Sequence, residues 1–312
     1  MTKVVALTGA TGFVGHHLIE HFEALGWSVR ALTRRAPIAS TGDNVHWVKG
    51  ALDDKDALRD LCGTSDVVVH CAGAIKARDK EAFFDTNMMG TKNVLSAAEE
   101  NGTARFIYLS SLAAREPHLS AYAASKRAGE DAVQETGGRL AWTILRPPAV
   151  YGPGDRETFK IMQVMARGFA LAPGAVSNRL SFIHQADLCR AISACIQSER
   201  THGNVLELRD AAANGYNWAE ISAAASAALG FTVRPLSVPR FALRPIALTN
   251  EIIAGVIRRP AMLTLGKVNE MYHDDWSVPE NTLTTLSDWR PQISLTDGFQ
   301  ETFRWYKDEG WL

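Results

Sequence analysis

Cysteine is scarce in this chain: four residues in 312 (Cys62, Cys71, Cys189 and Cys195), with no CxxC pair among them. Each sits among apolar neighbours, which reads as buried, reduced thiols and not as a disulfide framework or a metal site. The nine histidines include no HExxH motif, so no metal is implied. An excess of one charge is also missing. With 33 basic and 34 acidic residues the formal net charge is -1, giving no hint of a nucleic-acid or membrane partner. No apolar run reaches the roughly 18 residues needed to span a bilayer. The opening Met1-Thr2-Lys3-Val4-Val5 enters a strand-like run without the features of a secretory leader. A cytoplasmic protein without membrane insertion is expected, and internal repeats and low-complexity linkers are absent as well.

What is present is alternation. Lys3–Thr8, Ser28–Thr33, Val45–Lys49, Val67–Cys71, Phe106–Leu109 and Thr143–Leu145 read as strands. Helical spacing covers Val14–Leu25, Asp56–Leu61, Phe83–Glu100 and Ala121–Glu135. Strands alternating with helices predict an α/β fold: a Rossmann doubly wound parallel sheet with right-handed crossovers. Val67-Val68-Val69 is apolar throughout, as expected of a strand covered on both faces. Residues 1–150 form the expected dinucleotide-binding domain. Residues 151–312 form mainly a smaller α/β substrate lobe, with a strand near 180–210 returning to the main sheet. Within that lobe Phe159, Met162, Met165, Phe169 and Trp218 could floor an apolar pocket, and core is the preferred reading for most. The amphipathic stretch Phe241–Arg259, basic at its edges, is read as a helix over a substrate cleft in preference to a membrane-surface helix.

Thr8-Gly9-Ala10-Thr11-Gly12-Phe13-Val14-Gly15 joins the first strand to the first helix. Glycines there let the backbone turn sharply and approach a pyrophosphate, whose charge meets the N–H groups of the helix N-terminus. The spacing is GxxGxxG, not the GxGxxG of the usual fingerprint. Gly9, Thr11, Gly12, Phe13 and Gly15 are the candidate cofactor contacts. An NAD site usually ends its second strand with a carboxylate for the ribose 2′-OH. Here the strand ends Leu32-Thr33-Arg34-Arg35. Two guanidinium groups suit a 2′-phosphate, so NADP(H) is expected over NAD.

Tyr122-Ala123-Ala124-Ser125-Lys126 places a phenol and an ammonium one helical turn apart. The ammonium favours the phenolate, which suits the phenol to proton exchange, and Ser110-Ser111 can supply a hydroxyl to the same oxygen. Together with Thr8–Gly15, His70-Cys71-Ala72-Gly73, Asn87-Met88-Met89-Gly90-Thr91, Arg146-Pro147-Pro148-Ala149-Val150-Tyr151 and Phe182-Ile183-His184-Gln185-Ala186-Asp187-Leu188, these residues resemble the extended short-chain dehydrogenases/reductases. That group includes nucleotide-sugar epimerases and dihydroflavonol-type reductases, and the resemblance covers nearly the whole chain.

The resemblance implies that Tyr122 is the general acid/base and that Lys126 holds the nicotinamide ribose and tunes Tyr122. It makes Ser111 the hydroxyl partner, ahead of Ser110, and puts Asn87 on the proton path or leaves it an ordinary helix polar. Leu52, Ala72, Gly73, Pro147 and Val150 would border the cofactor. Two departures stand out. Gly50-Ala51-Leu52 lacks the carboxylate that relatives place beside adenine, and Leu112-Ala113 after Ser111 lacks the acids of sugar dehydratases. Nucleotide-sugar members commonly carry Arg where this chain has Leu180, although Arg179 is adjacent. The expected activity is interconversion of a carbonyl and an alcohol on a small-molecule substrate. A nucleotide-sugar epimerase with tightly bound NAD(P) and a non-catalytic sensor or assembly protein are the alternatives; a homodimer is compatible with each.

Overall fold

β-Branched and aliphatic runs in the first half build one sheet, and the loops at its carboxyl edge carry most of the candidate residues. A computed structural model of the chain describes residues 2–35, 44–136, 138–257, 260–261 and 263–312. Its contacts divide it into two compact units. One comprises Met1–Arg146, Cys189–Leu206 and Thr285–Asp288; the other comprises Pro147–Leu188, Glu207–Thr284 and Trp289–Leu312.

In the first unit, strands β1 (Val4–Thr8), β2 (Ser28–Thr33), β3 (Val45–Lys49), β4 (Val67–His70), β5 (Arg105–Leu109) and β6 (Ala141–Arg146) pair in parallel. The strand Asn204–Glu207 joins beside β6, and the order runs Asn204–Glu207, β6, β5, β4, β1, β2, β3. Every residue of β4 and β5 is buried, which is the condition of central strands sandwiched between helix layers. The chain leaves β1 in one direction to β2 and returns on its other side as β4. That reversal opens a crevice beyond the carboxyl ends of β1 and β4, the usual ligand site of open α/β sheets.

The covering helices are α1 (Phe13–Ala24), α2 (Lys55–Cys62), α3 (Lys80–Phe84), α4 (Gly90–Glu100) and α5 (Ala121–Gln134). Side-chain caps start three of them: Asp54 accepts from Ala57 N at 3.0 Å, Asp79 from Ala82 N at 2.9 Å and Ser120 from Ala123 N at 2.9 Å. Such caps each stabilise a helix by about 1 kcal/mol. Sequence spacing suggests one regular helix over Phe83–Glu100. Instead α3 and α4 are joined by a π-helical turn, Asp85–Met89, whose one buried residue is Asn87. An inserted residue of this kind widens the turn and re-aims a side chain.

The second unit contains β7 (Ala149–Tyr151), paired in parallel with Phe182–His184, and β8 (Phe169–Pro173), paired in parallel with Arg234–Val238. Its helices include α6 (Phe159–Met165), the first turn of α7 (Gln185–Gln197), α8 (Trp218–Leu229), α9 (Arg240–Ile257) and α10 (Leu265–Met271). The core is aromatic: the Tyr151 ring meets Phe182, His184 and Phe299 edge-on, at 5.3–5.9 Å between centroids. Met162, Met165 and Trp218 are buried in that core and Phe159 packs on it, whereas Phe169 turns outward. Asp187 accepts from Gln292 N and Ile293 N, each at 2.9 Å, and so anchors the segment leading into the last helix. Among the described residues no helix is long and apolar enough to cross a membrane.

Candidate active site

The loop after β1 closes on itself. Gly12 N donates to Gly9 O at 2.9 Å. Gly9 has φ +73°, and a Cβ there would stand 2.6 Å from Ala72 N, while one on Gly15 would stand 2.1 Å from Gly9 O. These two glycines are therefore required by close approach, the first to the loop after β4 and the second between helix and turn. Gly12 caps α1 without any side-chain hydrogen bond. Among the described residues the first N–H groups of α1 thus have no side-chain cap, which fits the pyrophosphate of a dinucleotide. Thr11 and Gly12 are exposed beside them, and Phe13 packs edge-on against His17 at 5.3 Å.

Arg34 and Arg35 follow β2 and are both exposed. Among the described residues neither guanidinium has an ion-pair partner; Arg35 N donates to Thr33 Oγ1 at 3.2 Å. Leu52 packs over Gly90, and its carbonyl is taken by Asn93 Nδ2 at 2.8 Å. Pro147 and Val150 belong to the second unit, where Val150 on β7 pairs with Ile183.

A buried chain of hydrogen bonds ties these loops together. Ala72 N donates to Thr8 Oγ1 (3.2 Å), Thr8 Oγ1 meets His70 Nδ1 (2.6 Å), His70 Nε2 meets Thr91 Oγ1 (3.0 Å), and Thr91 Oγ1 donates to Asn87 O (2.8 Å). The two ends set the direction. Thr91 gives its proton to a carbonyl, so it accepts from His70 Nε2–H; Nδ1 is then the acceptor of the Thr8 hydroxyl. The relay therefore requires a neutral His70. Burial, and secondarily the charge of Lys126, pushes its pKa down from 6.5 to about 3.

Below pH 6.5 the unfolded chain takes up this proton while the folded chain does not. Stability is then lost as pH falls from 6.5 towards 3, by about 1.4 kcal/mol per pH unit for this one group. Urea midpoints at pH 6.5 and 4.5 should show wild type losing about 2–3 kcal/mol more than His70→Gln over that interval. Equal losses in the two proteins would remove His70 as the titrating group.

Tyr122 and Lys126 lie one turn apart on α5. Tyr122 is half-buried, its ring 6.1 Å from that of Phe83. Lys126 is buried and donates from Nζ to Leu109 O at 2.7 Å, over the Tyr108 ring at 4.5 Å. Its pKa is lowered by burial, against which the charges of Tyr122 and Glu130 act. A Cβ on Gly73 would sit 3.6 Å from Lys126 Nζ and 3.1 Å from Asn87 Oδ1, so the absent side chain leaves the ammonium accessible from the β4 loop.

Asn87 has its amide fully engaged. Oδ1 accepts from Ala74 N (2.7 Å), while Nδ2 donates to Ala74 O (3.0 Å) and to Ser125 Oγ (2.8 Å). Ser125 in turn donates to Tyr122 O at 2.8 Å. Asn87 therefore clamps the β4 loop to the helix turn that carries the phenol, a positioning residue by geometry.

The two serines separate cleanly. Ser110 is buried and its hydroxyl is spent on Glu130 Oε1; Ser111 is half-exposed and, among the described residues, accepts from Ala113 N at 3.2 Å without donating. Glu130 is itself fully buried and forks onto Arg146, with Arg146 Nε to Oε1 at 2.9 Å and Nη2 to Oε2 at 2.6 Å. Sequence reading passed over Glu130, although its place four residues after Lys126 on the same helix face is visible in the chain. His17 and His21 also stand one turn apart, on α1, but among the described residues no group of three or more His, Cys, Asp or Glu could hold a metal ion.

Comparison with known proteins agrees with this geometry. The model of the NAD dependent epimerase/dehydratase family matches residues 5–208. A ceramide reductase from Caulobacter vibrioides is 38% identical over 99% of this chain and 96% of its own length. A dTDP-4-dehydro-6-deoxy-D-allose reductase from a Streptomyces species is 26% identical over 98% and 96%. The solved structure of a UDP-glucuronic acid 4-epimerase from Bacillus cereus, in complex with UDP-glucuronic acid and NAD, superimposes with a TM-score of 0.74 at 18% identity, covering 99% of this chain and 100% of the other. At that identity the likeness speaks for the fold.

Proposed function

This chain belongs to the NAD dependent epimerase/dehydratase family, and within it we propose that it is an NADP(H)-dependent oxidoreductase that reduces a ketone on a ceramide-like lipid to a secondary alcohol. The observation that carries the reading is the pairing of Tyr122 with a buried Lys126 on one face of α5. The nicotinamide, when bound, supplies the hydride. Gly9, Gly12 and Gly15 would let its pyrophosphate reach the α1 N-terminus, and Gly73 leaves room for its ribose beside Lys126.

The chain's own residues then manage one proton. Tyr122 donates its phenolic proton to the carbonyl oxygen, which ends as the hydroxyl of the product. Ser111 holds that oxygen by a hydrogen bond, being the serine not committed to Glu130. Lys126, fixed by Leu109 O and the Tyr108 ring, stabilises the phenolate until a proton returns.

The lipid substrate is taken from the Caulobacter vibrioides relative, which aligns with this chain nearly end to end. Nucleotide-sugar epimerisation is the weaker reading. Arg179, adjacent to the position where nucleotide-sugar members commonly carry an arginine, donates instead to Asn214 O (2.5 Å) and Gly215 O (2.9 Å). The decisive assay offers NADPH with a long-chain keto-ceramide and, separately, UDP-sugars. Ketone-dependent loss of NADPH absorbance supports the proposal; sugar interconversion without net cofactor consumption overturns it.

The cofactor preference rests on Arg34 and Arg35 and the missing carboxylate at the end of β2. NADP(H) is expected to bind at least about tenfold more tightly than NAD(H), about 1.4 kcal/mol. An Arg34→Ala/Arg35→Ala protein should lose that preference while keeping its affinity for NAD(H). Calorimetric titration of both cofactors checks this, and equal affinities in wild type would retire NADP(H) as the cofactor.

A further inference from the structure

Helix α9 is built the wrong way round for a helix that packs into its own protein. Its inward positions are small, with Ala247 and Ala254 buried, whereas Phe241 is 77% exposed and Ile246, Leu248, Ile252 and Ile253 are each 50–60% exposed. At 3.6 residues per turn these five, with Ala242 and Pro245, cover about 160° of the helix circumference. Thr249 lies within this arc and Glu251 beyond its Leu248 edge, and both side chains bond to the protein itself. Thr249 Oγ1 donates back to Pro245 O at 2.9 Å, and Glu251 Oε1 accepts from Leu265 N at 2.8 Å at the start of α10. The strand feeding α9 through Pro239 continues the pattern: Leu236 is exposed and in register with exposed Leu171 of β8, two residues beyond exposed Phe169.

Charge is distributed to match. Between residues 234 and 259 the sequence carries five arginines (Arg234, Arg240, Arg244, Arg258 and Arg259) against the single Glu251, in a chain whose net charge is -1. Arg244 is exposed along one edge of the apolar arc, and Arg240 at the helix start is held by Asn269 Oδ1. Arg258 and Arg259 lie outside the described residues.

We propose that α9, with the Leu171–Leu236 strand pair beside it, is a docking surface for an anionic phospholipid bilayer, in which the helix lies in the interface plane without crossing it. An apolar arc flanked by arginines suits that environment on both counts: aliphatic side chains enter the acyl boundary and guanidinium groups remain among anionic headgroups. A second copy of the chain suits it less, because a parallel pairing of two α9 faces sets Arg240 and Arg244 against their like. Sequence alone favoured a helix over a substrate cleft; the outward direction of the arc is what supports the surface reading. Delivery of a lipid ketone from the bilayer would follow, and that consequence alone rests on the function proposed above.

The test is flotation of the full-length protein, without cofactor or substrate, on vesicles of phosphatidylcholine with and without one quarter phosphatidylglycerol. Binding is expected on the anionic vesicles, at least tenfold weaker on neutral ones, and weakened at high salt. Phe241→Ser/Ile252→Ser and Arg240→Glu/Arg244→Glu should each reduce binding at least tenfold with unchanged circular dichroism and melting temperature. Absence of binding to anionic vesicles, or binding that both variants retain, overturns the proposal. So does a concentration-dependent dimer that the Phe241→Ser/Ile252→Ser change dissolves, since the face would then belong to a second copy. Vesicle binding with no reduction of any lipid ketone leaves the docking surface standing and refutes the catalytic reading instead.

Discussion

Replacing Tyr122 by Phe is expected to lower turnover by about 10²–10⁴-fold while leaving cofactor affinity close to wild type. The range is that of a positioned general acid/base, about 3–5 kcal/mol in activation free energy. The ring stays, so its packing near Phe83, with centroids 6.1 Å apart, survives; only the transferable proton is removed. Lys126→Ala should differ in kind. Its Nζ is buried, bonded to Leu109 O and placed beside Gly73, so its loss is expected to weaken cofactor binding as well as turnover. Fluorescence titration of NADPH alongside steady-state kinetics separates the two patterns. A Tyr122→Phe enzyme that keeps most of its activity would place the proton donor elsewhere.

The second large effect lies in stability. Glu130 is fully buried, accepts two hydrogen bonds from Arg146 and one from Ser110, and sits one turn beyond Lys126. Glu130→Ala would take the carboxylate away from the Arg146 guanidinium, whose side chain is only 14% exposed, and from the Ser110 hydroxyl inside the core. Breaking a buried pair by removing one partner costs about 3–5 kcal/mol, because the charge left behind has lost both water and counter-charge. Replacing both by apolar residues of similar volume removes that penalty. The double variant Glu130→Leu/Arg146→Met is therefore expected to recover most of the loss in urea denaturation. A cost below about 1 kcal/mol for Glu130→Ala would mean that water or another group already compensates Arg146.

Local patterns were legible without coordinates. The boundaries of β2 and β3 coincide with those read from periodicity, since each is a strongly patterned run. The glycine loop and the Tyr122–Lys126 pair were legible for a similar reason: their chemistry depends on spacings of three to four residues, which one strand-to-helix turn or one helical turn enforces. Asn87 was found as a position, but its work was not. A regular helix was expected there, and the π-helical turn that points its amide at Ala74 and Ser125 arises from packing against α5. That packing is tight, since a Cβ on Gly129 would meet Tyr108 Oη at 2.3 Å and Asn87 O at 2.5 Å.

By itself, then, the sequence determined the parallel sheet, the glycine turn and the phenol–ammonium pair, because near neighbours in the chain settle each of them. Tertiary structure alone separated the two serines, since the Ser110 hydroxyl is claimed by a carboxylate 20 residues away. It decided the tautomer of His70 through threonines 62 residues before it and 21 after it. It also decided the direction of α9. An amphipathic pattern states that a helix has an apolar face; whether that face turns inward or outward depends on what the rest of the chain packs against it, and here the packed side is alanine.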